Sequence, residues 1–207
     1  MPMFPLGSVL FPHMPLPLRV FEERYLVMLS RILDSEPAEF GVVLIERGQE
    51  VGGGEHRFQF GTIAQIVQMD ATEEFVVLVA QGERRIEVTK WLAEDPYPQA
   101  SVRELPALEW DESLLPLKEQ AERDVRQALT IASEFSPQLW SPLVEISDDP
   151  IAAAWQIAAI APLSPLDQVS LLQCSSMETL LTSVIEFMAT AEQSFRLTWP
   201  DETDTQA

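Results

Sequence analysis

The sequence has few residues that bind metals or carry out nucleophilic chemistry. Cys174 is the only cysteine, and His13 and His56 are the only histidines. One cysteine cannot form an intrachain disulfide, and two distant histidines without a cysteine pair do not supply the ligands of a zinc site. We therefore predict neither a metal nor a cofactor.

Long apolar runs and a signal peptide are also missing. No apolar stretch reaches the ~18 residues that a membrane-spanning helix requires, and Met1 is not followed by a basic n-region. A single cysteine is typical of a reducing compartment. We predict a cytoplasmic protein without a membrane segment.

Familiar catalytic motifs do not occur. Gly48 and Gly53 have the spacing of a P-loop, but Gly54 and Glu55 follow where Lys and Ser/Thr would be needed. The pattern GxSxG is absent, and neither lysine lies near a serine motif. We predict no catalytic residue and no enzyme activity, although a hydrolase with an unrecognised site stays open as a third interpretation.

Basic residues are scarce: 13 Lys and Arg stand against 33 Asp and Glu, which gives a formal net charge of −20. After Arg126 the only basic residue is Arg196. Such an excess of negative charge repels phosphate groups, so nucleic acid and anionic membranes are poor partners. Basic or neutral partners are favoured instead.

The residues that are present indicate an α+β protein. Apolar residues make up 46% of the chain and charged residues 22%, as in globular proteins. Strand patterns occur at 40–45, 60–69, 75–80 and 84–89, and more weakly at 97–105, with turns expected at 48–54 and at Gly82-Glu83. These strands are expected to curl into a small barrel, whose end a short helix near residues 20–33 would close.

Helical patterns replace the strands after about residue 111. Asp149 and Ser164 are expected N-caps, each followed by a proline at the first helical position. Ser175 and Glu178 are expected to form a capping box before the last helix. Four helices with short turns indicate a compact helical unit packed on the barrel.

The opening stretch FPLGSVLFPHMPLPLRVFEERY combines strand-forming residues with four prolines. Proline cannot donate to a β-ladder, so a central strand is excluded. We predict short, bent edge strands at 6–11 and 16–20, followed by the helix that FEERY begins.

Three separated segments resemble the N-terminal, substrate-binding domain of Lon protease in their order along the chain. They are the opening stretch, RFQFGTIAQIVQM with FVVLVAQGERRIEVTK, and DDPIAAAWQIAAIAPLSPLDQVSLLQCSSMETLL. The similarity covers roughly residues 3 to 195. It implies a PUA-like β-pseudobarrel followed by a C-terminal helical subdomain.

With this resemblance we expect three regions: a PUA-like β-barrel subdomain with one short helix at 1–108, a helical subdomain at 109–198 and a flexible tail at 199–207. The chain ends where full-length Lon would continue into its ATPase and Ser–Lys peptidase domains. We therefore expect a stand-alone bacterial Lon-domain protein without Walker motifs or a catalytic dyad.

The resemblance implies a non-catalytic module that recognises polypeptides or protein clients, with basic or unfolded ones as the expected partners. A barrel edge or a barrel–helix groove could accept an extended segment. We predict that the groove is lined by Phe11, His13, Met14, Phe21 and Tyr25. RNA binding is the alternative, because PUA-like barrels elsewhere bind RNA, but it requires clustered basic residues.

Overall fold

The structure of the chain is a computed structural model that describes residues 1–47, 56–72, 74–135 and 139–198. The predicted glycine-rich turn at 48–54 and the predicted tail at 199–207 lie outside these residues. Strands and one helix come first: β1 (Met3–Leu6), β2 (Pro15–Val20), α1 (Glu23–Ile32), β3 (Glu39–Arg47), β4 (His56–Ala71), β5 (Val76–Trp91) and β6 (Ala100–Glu104). A 3₁₀ turn (Glu112–Leu114) then leads into α2 (Leu115–Phe135), α3 (Pro150–Ile160), α4 (Pro165–Leu172) and α5 (Met177–Thr198).

The strands β1, β3, β4, β5 and β6 close into the predicted β-pseudobarrel. The sheet runs in the order β1-β3-β4-β5-β2, and β6 pairs with the second half of β5. The ring closes where Pro2 bridges Gln99 and the Met3 amide donates to the Pro98 carbonyl oxygen at 2.9 Å. Its interior is filled by buried side chains of Met3, Val43, Ile63, Ile86, Val88 and Ala100. The α+β fold expected from the sequence is thus confirmed.

The opening stretch supplies both ends of this sheet path. β2 covers residues 15–20 and pairs antiparallel with β5, as predicted for an edge strand. The strand expected at 6–11 is wrong: β1 comes earlier, at Met3–Leu6, where it pairs parallel with β3. Residues 7–14 form a loop that leads from the barrel toward the helices.

β5 is one continuous strand of 16 residues, so the turn predicted at Gly82-Glu83 is wrong. A Cβ atom at Gly82 would lie 2.1 Å from the carbonyl oxygen of Phe11. Glycine is therefore required here because the 7–14 loop crosses the strand closely, not because the chain turns.

The helix starts follow capping rules. The Asp149 side chain accepts a hydrogen bond from the Ala152 amide at 2.7 Å, and Ser164 caps α4, so both predictions are confirmed. The capping box before α5 lies one residue later than predicted. Ser176 and Thr179 exchange side-chain to backbone hydrogen bonds at 3.1 and 3.0 Å, because the helix begins at Met177.

The strand-rich and helical parts share one hydrophobic core. Phe11 from the 7–14 loop packs against Trp155 of α3 with ring centroids 6.1 Å apart. The same buried cluster continues through α2, α4 and α5. The predicted boundary at 108 and 109 falls in the segment between β6 and the 3₁₀ turn, and the division into domains stays a prediction.

Candidate functional site

The 7–14 loop is fixed at the junction between barrel and helices. The buried Thr62 hydroxyl donates to the Leu10 carbonyl oxygen at 2.6 Å. His13 adopts a positive φ of 61°, and its amide donates to the Gly82 carbonyl oxygen at 2.8 Å. The Gly82 amide in turn donates to the Met14 carbonyl oxygen at 2.9 Å. These bonds hold the loop as a wall between two cavities.

The larger cavity is an open groove of about 520 Å³ beside β2. This volume lies within the range of roughly 300–1,000 Å³ that is typical of ligand pockets. One wall comes from the loop and the strands, and the other from the helical unit. The groove is lined by Ser8, Val9, Leu10, Phe11, Met14, Pro15, Leu16, Pro17, Val79, Leu139, Trp140, Ala159 and Gln168. None of these side chains is ionisable, so the groove suits binding rather than proton transfer.

The β2 edge beside the groove has hydrogen-bond acceptors but few donors. In an antiparallel pair, alternate residues direct their backbone groups toward the partner strand. The hydrogen bond from the Gly82 amide to the Met14 carbonyl shows that the even-numbered residues of β2 direct their backbone groups toward β5. The odd-numbered residues Pro15, Pro17 and Arg19 therefore direct their carbonyls outward. Since proline has no N–H, Arg19 provides the only outward amide of β2.

The smaller cavity, of about 280 Å³, lies on the other side of the loop at residues 12–13. Arg85 lines it and is only 5% exposed. Its guanidinium donates to the carbonyl oxygens of Leu172, Cys174 and Pro106 at 2.8, 2.6 and 2.6 Å, and it stacks over Trp155. Burial lowers the pKa of Arg85 from its usual value. The residue therefore ties the barrel to the helical unit.

The structure brings only part of the predicted site together. Phe11 and Met14 line the groove, although they are 1% and 8% exposed and contribute wall rather than free surface. His13 is exposed and lines the smaller cavity. Phe21 is 57% exposed but lines neither cavity, and Tyr25 is buried in the core, stacked on Phe4.

The groove residues that sequence reasoning missed belong mostly to the opposite wall. Leu139 and Trp140 lie in the connection between α2 and α3, while Ala159 and Gln168 come from α3 and α4. No local pattern marks them, because the helical unit meets β2 only in the folded chain. Leu139, at 88% exposed, is the most accessible apolar side chain of the groove.

Among the described residues, no group of three or more His, Cys, Asp or Glu side chains is placed to hold a metal ion. Within the same ranges, no helix is long and apolar enough to span a bilayer. Burial raises the pKa of the Cys174 thiol above its usual value, which disfavours the reactive thiolate.

Residues 1–190 match the family described as the ATP-dependent protease La (LON) substrate-binding domain. The chain belongs to this family. The match covers all six strands and most of the helical unit, so the family resemblance noted from the sequence is confirmed.

Similar proteins and structures agree with this assignment. Lon protease of Escherichia coli K12 is 28% identical over 192 residues, and Lon protease 2 of Desulfotalea psychrophila is 23% identical over 198 residues; each alignment covers 90% of this chain. The chain spans about a quarter, 24%, of these relatives' length. The match is therefore to one part of these proteins.

Two solved structures have the same fold. The N-terminal domain of the Mycobacterium avium complex Lon protease superposes with a TM-score of 0.64 at 18% identity, covering 91% of this chain and 97% of that one. A Lon N-terminal domain protein from Xanthomonas campestris gives 0.59 at 25% identity, with 91% and 98% coverage. Both support the barrel and helical arrangement.

Proposed function

We propose that the protein is a non-catalytic module that binds segments of polypeptide in the groove beside β2. Membership of a substrate-binding domain family supports a role in substrate recognition. The observation that carries the proposal is the groove itself, which is open and mostly apolar on both walls, and whose described lining residues include no ionisable side chain. Such a surface can hold apolar side chains of an extended segment, but its described residues offer no acid or base that could activate the Ser8 hydroxyl.

The alternative of RNA binding is less well supported. Arg84, Arg85 and Lys90 form a small basic cluster in the sequence. Arg84 forms ion pairs with Glu39 and Glu104, and Arg85 is buried on backbone carbonyls. Lys90 is then the one cation of this cluster left to meet a phosphate, which is too little for a nucleic-acid footprint.

The proposal can be tested with two leucine variants. Leu139 and Leu143 are both 88% exposed and lie four residues apart, but only Leu139 lines the groove. Replacing either with Ser should leave the fold intact because neither side chain is buried. Leu139→Ser should weaken binding by roughly 10- to 160-fold, since burial of a leucine side chain contributes roughly 1.5–3 kcal/mol.

Binding should be measured by fluorescence anisotropy with labelled 12-residue peptides selected from an array that tiles an unfolded protein. The Leu143→Ser protein is the matched control and should bind like the unmodified chain. Equal affinities for all three proteins would exclude the groove as the binding site. Absence of any peptide binding, together with retention of RNA at high salt, would overturn the proposed function.

A further inference from the structure

The groove has a backbone polarity that deepens the proposed function. The outward carbonyls of Pro15, Pro17 and Arg19 are spaced by two residues, or about 6.6 Å, along an edge that no described strand pairs. Only Arg19 adds an N–H group to this edge. An extended chain entering the groove therefore meets a row of acceptors and must supply the donors itself.

We propose that the groove selects an extended polypeptide segment that donates backbone N–H groups to β2 and carries Lys or Arg beside its apolar residues. This proposal rests on the proposed function and specifies its ligand. The apolar walls receive the apolar side chains, and the proline carbonyls accept alternate N–H groups of the segment.

Charge complementarity supports the basic residues. The chain has a formal net charge of −20, and the described residues that line the groove include no cation. Arg19, on the β2 edge beyond this lining, has its guanidinium over the Phe75 ring, 3.8 Å from the centroid. The outward carbonyl dipoles add negative potential that the missing proline N–H groups do not offset. A segment with Glu in place of Lys would meet repulsion from the protein as a whole.

A second copy of this chain does not fit the same edge through its own β2. Two strand edges that both lack N–H groups at their proline positions cannot build a ladder of alternating donors and acceptors, because the carbonyls of each edge would face the carbonyls of the other. The edge thus excludes β2-to-β2 pairing and still accepts a segment with intact N–H groups.

The test uses the full chain and a capped octapeptide that alternates Leu and Lys. Two derivatives carry N-methyl groups, one on every Leu and the other on every Lys. N–H groups that face the same neighbouring strand recur at every second residue, so one derivative loses its donors to β2 and the other keeps them. The derivative that loses these donors should bind about fivefold more weakly for each donor removed. The derivative that keeps them should lose much less affinity.

Equal loss in both derivatives, or no loss in either, would overturn the donor-to-acceptor arrangement. In that case continued binding of the parent peptide, weakened by Leu139→Ser but not by Leu143→Ser, would leave the proposed function standing. If the parent peptide and the arrayed peptides all fail to bind, the proposed function fails as well. The two failures are thus distinguishable.

Two further measurements examine the remaining features. Replacing each Lys of the peptide with Gln should weaken binding, and replacing it with Glu should weaken it tenfold or more at low salt; equal affinity of the Glu peptide would refute the basic preference. Pro17→Ala restores an outward N–H and should tighten binding of the parent peptide about fivefold. Pro116→Ala, at an exposed position in the first turn of α2, is the control and should leave the affinity for the parent peptide unchanged. If the Pro17→Ala variant binds the parent peptide with the same affinity as the unmodified chain, the β2 edge is not the contact.

Discussion

Replacing Arg85 with Met should destabilise the fold strongly, because one buried side chain serves three parts of the backbone. The guanidinium donates to carbonyl oxygens in the segment after β6, at the end of α4 and before α5, at 2.6 to 2.8 Å. Each hydrogen bond from a charged donor contributes about 1.5–3 kcal/mol. Removing the cation also removes the cost of keeping it out of water, so the contributions do not simply add.

We expect a net loss of about 3–5 kcal/mol, because three carbonyl oxygens lose their donor and an unsatisfied buried polar group costs about 1–3 kcal/mol. Water entering from the adjoining cavity of about 280 Å³ should solvate some of the freed carbonyls and favour the lower end of that range. Arg85→Lys keeps the charge but loses the planar fork, and should fall between Met and the unmodified chain.

The assay is urea denaturation followed by far-ultraviolet circular dichroism and by tryptophan fluorescence. Arg84→Met is the matched control, because Arg84 adjoins Arg85 in sequence but is 44% exposed and forms ion pairs at the surface. It should cost no more than about 1 kcal/mol. If the Arg85→Met protein loses no more stability than the Arg84→Met protein, Arg85 does not tie the two parts together.

Gly82→Ala should destabilise the chain by several kcal/mol more than Gly41→Ala, because the added methyl group would meet a backbone carbonyl at Gly82 but the end of a flexible Met side chain at Gly41. Urea denaturation midpoints would rank the two variants. The reverse order would refute the close crossing of the 7–14 loop over β5. Ser176→Ala should lower the free energy of unfolding by about 1 kcal/mol, and Ser175→Ala should leave it almost unchanged. Thermal unfolding that ranked the two variants the other way would support Ser175 as the N-cap. Since burial raises the pKa of the Cys174 thiol, the unfolded chain ionises first, and stability should fall as pH rises above the usual thiol pKa of about 8.5. The same titration of a Cys174→Ser protein should lack this component, and identical pH profiles would refute it.

Sequence reasoning succeeded where structure depends on short-range rules. The N-caps at Asp149 and Ser164 were predictable because a capping side chain bonds an amide only three residues away. The same rule placed the last capping box one residue early, because neighbouring serines at 175 and 176 offer two starts and only packing of the helix selects between them. At Gly82 the rule that a glycine marks a turn was wrong, since this glycine is required by a close contact with Phe11, 71 positions earlier in the chain.

The candidate site was harder to predict because exposure is a tertiary property. Phe11, Phe21 and Tyr25 are similar aromatic residues within 15 positions, yet their exposed fractions are 1%, 57% and 1%. For Tyr25 a signal was available: it belongs to the apolar stripe of α1 with Met28 and Ile32, and such a stripe faces the core. No comparable signal separates Phe11 from Phe21.

The prolines of β2 connect the sequence pattern to the proposed ligand. Pro15 and Pro17 are two residues apart, which is also the period at which backbone groups of a strand face one side. Both can therefore occupy outward positions, so that the strand keeps every inward amide for its ladder with β5. The spacing alone permits either orientation, and the hydrogen bond between Gly82 and Met14 decides it. A strand edge that would otherwise recruit neighbouring strands is thereby left with three acceptors and a single donor at Arg19, and pairing with it requires a chain that brings its own donors.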